Sequence, residues 1–175
     1  MKRIVTFWED PVDCVDEATI EFNDEEDFQK KIHAYADSLV QSGYAVVGMK
    51  WTDVEVFRLI IAGGRDFDNY EALKKSADFM LSKKKCEIEI VCGMARGADT
   101  LGEKYAKERG YKVNYYPAEW KKYKNRAGMI RNEKMAQNAD ALLAFWDGSS
   151  HGTKNMIETA QKYKLSVRVK RYHKR

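Results

Sequence analysis

The sequence has few cysteines and no long apolar run. Its three cysteines, Cys14, Cys86 and Cys92, are odd in number and lack metal-ligand spacing, which indicates reduced thiols in a cytosol. No apolar stretch approaches the ~20 residues that a bilayer crossing needs. Acidic residues within 8–10 interrupt the apolar run that a signal peptide would require. We therefore expect a cytoplasmic protein with no membrane association, no metal and no bound cofactor.

The charge of the chain is unevenly distributed. Its 175 residues are 44% hydrophobic and 33% charged, as in a globular protein. Residues 1–57 hold 5 Lys/Arg and 13 Asp/Glu, a net charge of −8, whereas residues 58–175 hold 26 and 14, a net charge of +12. This split predicts a small N-terminal α+β extension, 1–57, packed on a main domain, 58–175. The basic domain would attract phosphates or nucleic acid, although a solvated basic surface with a basic tail explains the charge equally well; the tail comprises Arg168, Lys170, Arg171, Lys174 and Arg175.

Strand and helix patterns alternate after residue 57. Apolar residues at helical spacing predict helices over about 70–84, 98–109, 122–138 and 153–163. Short β-prone runs predict strands at 58–62, 87–92, 111–116, 140–145 and 164–169. This alternation predicts a Rossmann-like, doubly wound fold with a mostly parallel five-stranded sheet. In the N-terminal extension, β-prone runs surround one helix, which Asn23 could cap.

Three glycine-rich segments follow predicted strands. They read AGGRDFDN at 62–69, CGMARGADT at 92–100 and AFWDGSSHGT at 144–153. The carboxyl ends of parallel strands meet at one edge of a sheet, where ligands bind. Glycine lets backbone amides approach an anion, and the start of a helix adds partial positive charge. Each segment alone also fits a tight turn, but together they predict a site for a negatively charged metabolite.

The polar residues of these segments suit phosphate and ribose. Arg65 and Arg96 can fork onto phosphate oxygens, and Asp66 or Asp99 can accept ribose hydroxyls or cap a helix. The predicted ligand-binding residues from the three segments are Gly63, Gly64, Arg65, Asp66, Gly93, Arg96, Gly97, Asp99, Gly148, Ser149, Ser150, Gly152 and Thr153.

Further candidates lie between the third and fourth strands. Gly128 and Arg131 share a helix face, and the glycine would leave room beside Arg131, the expected ligand-facing cation. Asn132 follows it. Trp120 could stack on a nucleobase or pack in the interior.

Five motifs in a fixed order carry a family resemblance. IAGGRDF, CGMARGAD, YPAEW, AGMIRNEKMA and AFWDGSSHGT, within 58–169, resemble the YspA-type, YpsA-related branch of the SLOG superfamily. That superfamily also includes the LOG phosphoribohydrolases and the DNA-processing protein DprA. The resemblance implies a Rossmann-like domain that binds a nucleotide or nucleotide-derived ligand at its glycine-rich edge and, by analogy, a homo-oligomer such as a dimer. It does not cover 1–57.

One departure from the LOG pattern bears on catalysis. LOG enzymes hydrolyse the N-glycosidic bond of nucleoside monophosphates with a helix arginine and a PGGxGTxxE loop. Arg131 takes the place of that arginine and would be catalytic if the protein is an enzyme, but Met156 stands where the glutamate belongs. Glu158 comes two residues later and, by helix geometry, would face with Asn155 and Lys162, away from the ligand.

Three functions remain open at this point. Binding of a nucleotide or nucleotide-derived ligand, as a sensor or sequestering module, ranks first. A nucleotide hydrolase of the phosphoribohydrolase type is the first alternative, with Asp66, Asp147 or Glu119 in place of the missing glutamate. Nucleic-acid binding is the second alternative, motivated by the basic domain.

Overall fold

The computed structural model of the chain describes residues 1–10 and 13–173. The described residues form two compact units, one within 1–55 and the other over 56–173. Lys174 and Arg175 of the predicted basic tail lie outside the described residues. The packing of the first unit on the second stays a prediction. Within the described part of the chain, no helix combines the length and apolar character that crossing a bilayer demands.

The first unit is a three-stranded antiparallel sheet covered by one helix. Val5 and Phe7 on the central strand pack against Phe28 and Ile32 on the helix. The strand order is β2-β1-β3. The elements are β1 (Lys2–Asp10), β2 (Asp13–Glu21), α1 (Glu25–Gln41) and β3 (Gly48–Asp53).

The start of α1 differs from the prediction by one residue. Asp24, and not Asn23, is the N-cap, because its carboxylate accepts the backbone amide of Asp27 at 2.9 Å. The side chain of Asp27 in turn accepts the amide of Asn23 at 2.9 Å. The two aspartates thus satisfy amides at the helix start reciprocally.

The second unit contains the predicted five-stranded sheet. Its strand order is β6-β5-β4-β7-β8, and every neighbouring pair is parallel. The elements are β4 (Val56–Gly63), α2 (Tyr70–Leu81), β5 (Glu87–Cys92), α3 (Ala98–Arg109), β6 (Lys112–Tyr115), α4 (Trp120–Tyr123), α5 (Ala127–Gln137), β7 (Ala141–Trp146), α6 (His151–Lys162) and β8 (Ser166–Arg171).

Helices cover both faces of this sheet. Leu73 of α2 and Tyr105 of α3 are buried on one face, while Met135 of α5 and Met156 of α6 are buried on the other. Because both faces are covered, the central strands are apolar along their length instead of alternating. The doubly wound prediction is confirmed. The chain changes face between β4 and β7, so their carboxyl ends border a topological switch point, where open α/β sheets bind ligands.

The single helix predicted over 122–138 is wrong. The structure has the short helix α4, a 3-10 turn at Lys124–Arg126 and then α5. Lys124 has φ 43°, a left-handed value that interrupts the helical path. The break places the ring of Trp120 beside Gly128, where an added Cβ would lie 3.6 Å from the ring.

Candidate functional site

A cavity of about 330 Å³ lies at the carboxyl ends of β4 and β7, between α5 and α6. We call it the α6 recess. Its floor includes Ala62, Thr153 and Met156, which are buried. Trp120 stands at its rim and is 53% exposed. The predicted binding residues that line it are Gly63, Arg65, Asp99, Trp120, Arg131, Asn132, Ser150, Gly152 and Thr153.

A second cavity of about 390 Å³ adjoins the first. We call it the α3 recess, since the turn that leads into α3 forms one wall, with Gly93, Met94 and Arg96, and the segment before α4 forms the other. The two recesses share four lining residues: Arg65, Ala95, Trp120 and Arg131. Together they form one groove with two arginines at the junction.

Arg131 is held in place from several sides. Its Nη1 donates a hydrogen bond to the carbonyl of Gly93 and lies 3.6 Å from Oδ2 of Asp99. Its Nε donates to Oδ1 of Asn132 at 3.0 Å. The side chain is only 15% exposed. The guanidinium therefore keeps one orientation at the junction of the recesses, which lowers the entropic cost of binding an anion there.

Asp99 is a buried carboxylate beside this cation. It is 3% exposed, and the backbone amides of Ala95 and Gly93 donate to it. Burial raises the pKa of Asp99 to about 6, while Arg131 and the amides act in the opposite direction. From the sequence alone, Asp99 could either cap a helix or accept hydrogen bonds from ribose hydroxyls. In the structure its carboxylate lies beside the guanidinium of Arg131 and helps to orient it. Asp99 also lines the α6 recess.

Gly93 is required by the position of Arg131. A Cβ on Gly93 would overlap Nη1 of Arg131 and lie 2.8 Å from Oδ2 of Asp99. The absence of a side chain at this position thus admits the guanidinium to the end of β5.

The first turn of α6 faces the recess with backbone amides. The hydroxyl of Ser150 caps the helix by accepting the amide and hydroxyl of Thr153, at 3.4 and 3.0 Å. The amides of His151 and Gly152, at the first two positions of the helix, have no intrahelical acceptor by the geometry of an α-helix. These amides, together with the positive end of the helix dipole, suit a phosphate or carboxylate.

Asn132 links the two helices that enclose the recess. It is buried, and its amide nitrogen donates to Oδ1 of Asn155 at 2.9 Å and to the carbonyl of Gly152 at 3.4 Å. The prediction that Asn155 faces away from the ligand site is therefore wrong, since Asn155 lines the α6 recess. Glu158 is exposed and lies 3.8 Å from Lys154.

Several predicted binding residues line neither recess. Gly97, with φ 78°, lets the turn before α3 pack directly on the carbonyl of Gly64. Asp66 accepts a hydrogen bond from the hydroxyl of Tyr172. Ser149 donates to Asp147 at 2.7 Å, within the turn that Gly148 forms with φ 87°. The structure gives these residues roles in the loops, and their contact with a ligand stays a prediction.

The motifs that carry these loops recur in known proteins. Residues 57–123 match the family described as YspA, cpYpsA-related SLOG. The gene 61 protein of Mycobacterium phage D29 is 30% identical over 116 residues, which cover 63% of this chain and 93% of that protein. The chain belongs to the YspA, cpYpsA-related SLOG family.

A solved structure supports the fold of this SLOG protein. The X-ray structure of DNA processing protein A (DprA) from Streptococcus pneumoniae matches with a TM-score of 0.51 and 14% identity, over 74% of this chain. The match covers 57% of the DprA chain, so the SLOG protein spans little more than half of its length. At this identity the likeness shows the fold alone. Family and fold together fit a nucleotide- or nucleic-acid-binding role.

The carboxylates of the SLOG protein that were considered as replacements for the missing glutamate lie outside both recesses. Met156 lines the α6 recess at the position where LOG enzymes carry glutamate. Glu119 lies 3.1 Å from Lys134, and neither it nor the engaged Asp66 and Asp147 lines either recess. Among the described lining residues, Asp99 is the sole carboxylate. Within the same described ranges, no group of three or more His, Cys, Asp or Glu is placed to hold a metal.

Sequence reasoning missed part of the lining. Asn125 and Met129 belong to the α6 recess, and Met94, Pro117 and Ala118 belong to the α3 recess. Met94 offers no sequence signal, because its position depends on a left-handed backbone, φ 59°, at a non-glycine residue. Asn125 could have been found only with the helix break at Lys124.

Proposed function

We propose that this protein binds a nucleotide or nucleotide-derived small molecule in the groove, as a sensor or sequestering module. The observation that carries the proposal is the oriented guanidinium of Arg131 in the same recess as the amino-terminal turn of α6. Arginine side chains and helix amino termini both bind phosphate oxygens in many proteins. We propose binding rather than hydrolysis because the described lining residues of the groove include no exposed carboxylate that could act as a hydrolytic acid.

Different walls of the groove present different chemical groups to a ligand. Arg65 and Arg131 supply positive charge for phosphate, and the amides of His151 and Gly152 supply fixed donors. Trp120 at the rim offers a ring face on which a base can stack. Cytoplasmic location and dimer formation remain part of the proposal and are checked by light scattering of the purified protein and by fractionation of producing cells.

The test is a titration of the purified protein with nucleoside mono-, di- and cyclic phosphates, followed by calorimetry and thermal shift. Arg131→Ala should weaken binding by about tenfold or more, because a charge-assisted hydrogen bond contributes about 1.5–3 kcal/mol. Lys134→Ala is the matched control. It lies on the same helix outside both recesses and is paired with Glu119 at 3.1 Å. Equal affinities of the two variants, or no binding of any nucleotide, would refute the proposal.

Nucleic-acid binding is the second candidate. A run of exposed cations, Lys121, Lys122, Lys124 and Arg126, follows Trp120 at the mouth of the groove, and the fold matches that of DNA processing protein A. Such binding would weaken steeply with salt, since each neutralised phosphate releases counterions. An oligonucleotide affinity that falls less than about threefold between 50 and 200 mM salt, the change that a single phosphate contact would give, would count against this candidate.

A further inference from the structure

The groove consists of the α6 recess at one end and the α3 recess at the other, with two arginines at their junction. Arg65 and Arg131 line both recesses, so the same two arginines border each of them. Cavities of about 330 and 390 Å³ each lie near the lower end of the range of small-molecule sites, about 300–1,000 Å³. A single nucleotide would therefore fill one recess and leave the other to water.

Each end carries apolar surface suited to a flat ring. In the α6 recess, Met129 and Met156 supply this surface, with the side-chain amide of Asn125 as a polar partner. In the α3 recess, it comes from Met94 and Pro117. Methionine adapts to aromatic partners of different shape, and its sulfur interacts favourably with ring edges. The ring of Trp120 is shared by both recesses and can stack with a group in either one.

The floor of the α6 recess consists of the buried residues Ala62, Thr153 and Met156. The two recesses give space for two nucleosides, and every further nucleoside of a longer strand would lie outside them. The groove therefore matches a ligand of two nucleosides better than a polymer.

From these observations, and on the basis of the proposed function, we infer that the groove binds a small dinucleotide, two nucleosides joined through phosphates. The phosphates lie between Arg65 and Arg131 at the junction. One nucleoside occupies the α6 recess and the other occupies the α3 recess.

Calorimetry on the full chain tests this inference with adenosine monophosphate, guanosine monophosphate and nicotinamide mononucleotide against the pyrophosphate-linked dinucleotides diadenosine diphosphate, diguanosine diphosphate and nicotinamide adenine dinucleotide. A dinucleotide should bind at least about tenfold more tightly than the mononucleotides of its two halves, since the second half binds as part of the same molecule. Equal affinities would overturn the inference and leave the proposed function standing. Failure of both classes to bind would overturn both.

Variants assign each half of the ligand to a recess. Ala118→Leu adds bulk to the α3 recess and should abolish the affinity advantage of the dinucleotide over the mononucleotides. Arg96→Ala, an exposed residue of the same recess, should act in the same direction without adding bulk. Gly128→Leu fills the α6 recess and should weaken both ligand classes. If Ala118→Leu and Arg96→Ala both leave the dinucleotide advantage intact, or if a ten-nucleotide single strand binds more tightly than every dinucleotide, the inference is wrong.

Discussion

Asp99→Asn is expected to stabilise the second unit at neutral pH. In the folded chain, burial raises the pKa of Asp99 from an ordinary value of 3.8 to about 6. Because the folded state holds this proton more tightly than the unfolded state, the stability contributed at this position falls as the pH rises from 3.8 to 6. Each pKa unit corresponds to 1.36 kcal/mol, so ionisation of Asp99 costs the folded state up to about 3 kcal/mol at pH 7.

The asparagine removes this cost and keeps most of the geometry. Arg131 retains the carbonyl of Gly93 and Oδ1 of Asn132 as hydrogen-bond acceptors, so it is not left as an unpaired buried cation. The free energy of unfolding of Asp99→Asn should therefore exceed that of the native chain by up to about 3 kcal/mol at pH 7.5. The difference should fall below about 1 kcal/mol near pH 4, where the folded state keeps Asp99 protonated and the unfolded state ionises it only about half. Nucleotide binding should weaken, because the carboxylate no longer helps to orient Arg131.

Hydrogen exchange of the amides of β4 and β7 in urea measures the stability of the second unit separately from the first. Glu158→Gln is the control. Its exposed carboxylate lies 3.8 Å from the exposed Lys154, so its effect should stay within about 0.5 kcal/mol at every pH. An Asp99→Asn variant that is less stable than the native chain at pH 7.5 would refute the reasoning. A difference that does not change between pH 4 and 7.5 would do so as well.

Two further predictions concern glycine positions. Lys164, in the turn after α6, has φ 59°, and Gly110, in the turn after α3, has φ 68°. This left-handed conformation costs a residue with a Cβ about 1 kcal/mol. In urea denaturation, Lys164→Gly should therefore raise the free energy of unfolding by about that amount, and Gly110→Lys should lower it by about that amount. Shifts of the same sign would contradict this. Gly93→Ala should displace Arg131 and weaken nucleotide binding about tenfold in calorimetry. Lys134→Ala, outside both recesses, should leave the affinity unchanged; equal losses would show that the position of Arg131 is not decisive.

The sheet, and the edge at which its glycine-rich turns meet, follow from the sequence, because the period of the apolar residues and the order of the elements determine them. Apolar runs separated by helical patterns allow few arrangements other than a doubly wound sheet. In such a sheet, the turns after β4, β5 and β7 must share an edge. The sequence also predicts which cation faces this edge, because the spacing of Gly128 and Arg131 places them on one helix face.

The contacts of individual loop side chains could not be predicted in the same way. Asp66 bonds to Tyr172, which lies 106 residues away in the chain, and no local pattern encodes such a pairing. Asn155 was assigned to the outer face by its angle relative to Met156. A recess at the start of a helix spans a wide arc, so neighbouring residues separated by about 100° can both line it.

The order of the strands also affects how the second unit forms during translation. β4, β5 and β6 leave the ribosome in an order that allows them to pair, but β7, the other neighbour of the central strand β4, follows only at Ala141–Trp146. Until then the nascent chain exposes one apolar edge of β4, a template for pairing with other chains. A prematurely terminated product that lacks β7 and α6 would therefore be prone to aggregation and would have only one side of the groove.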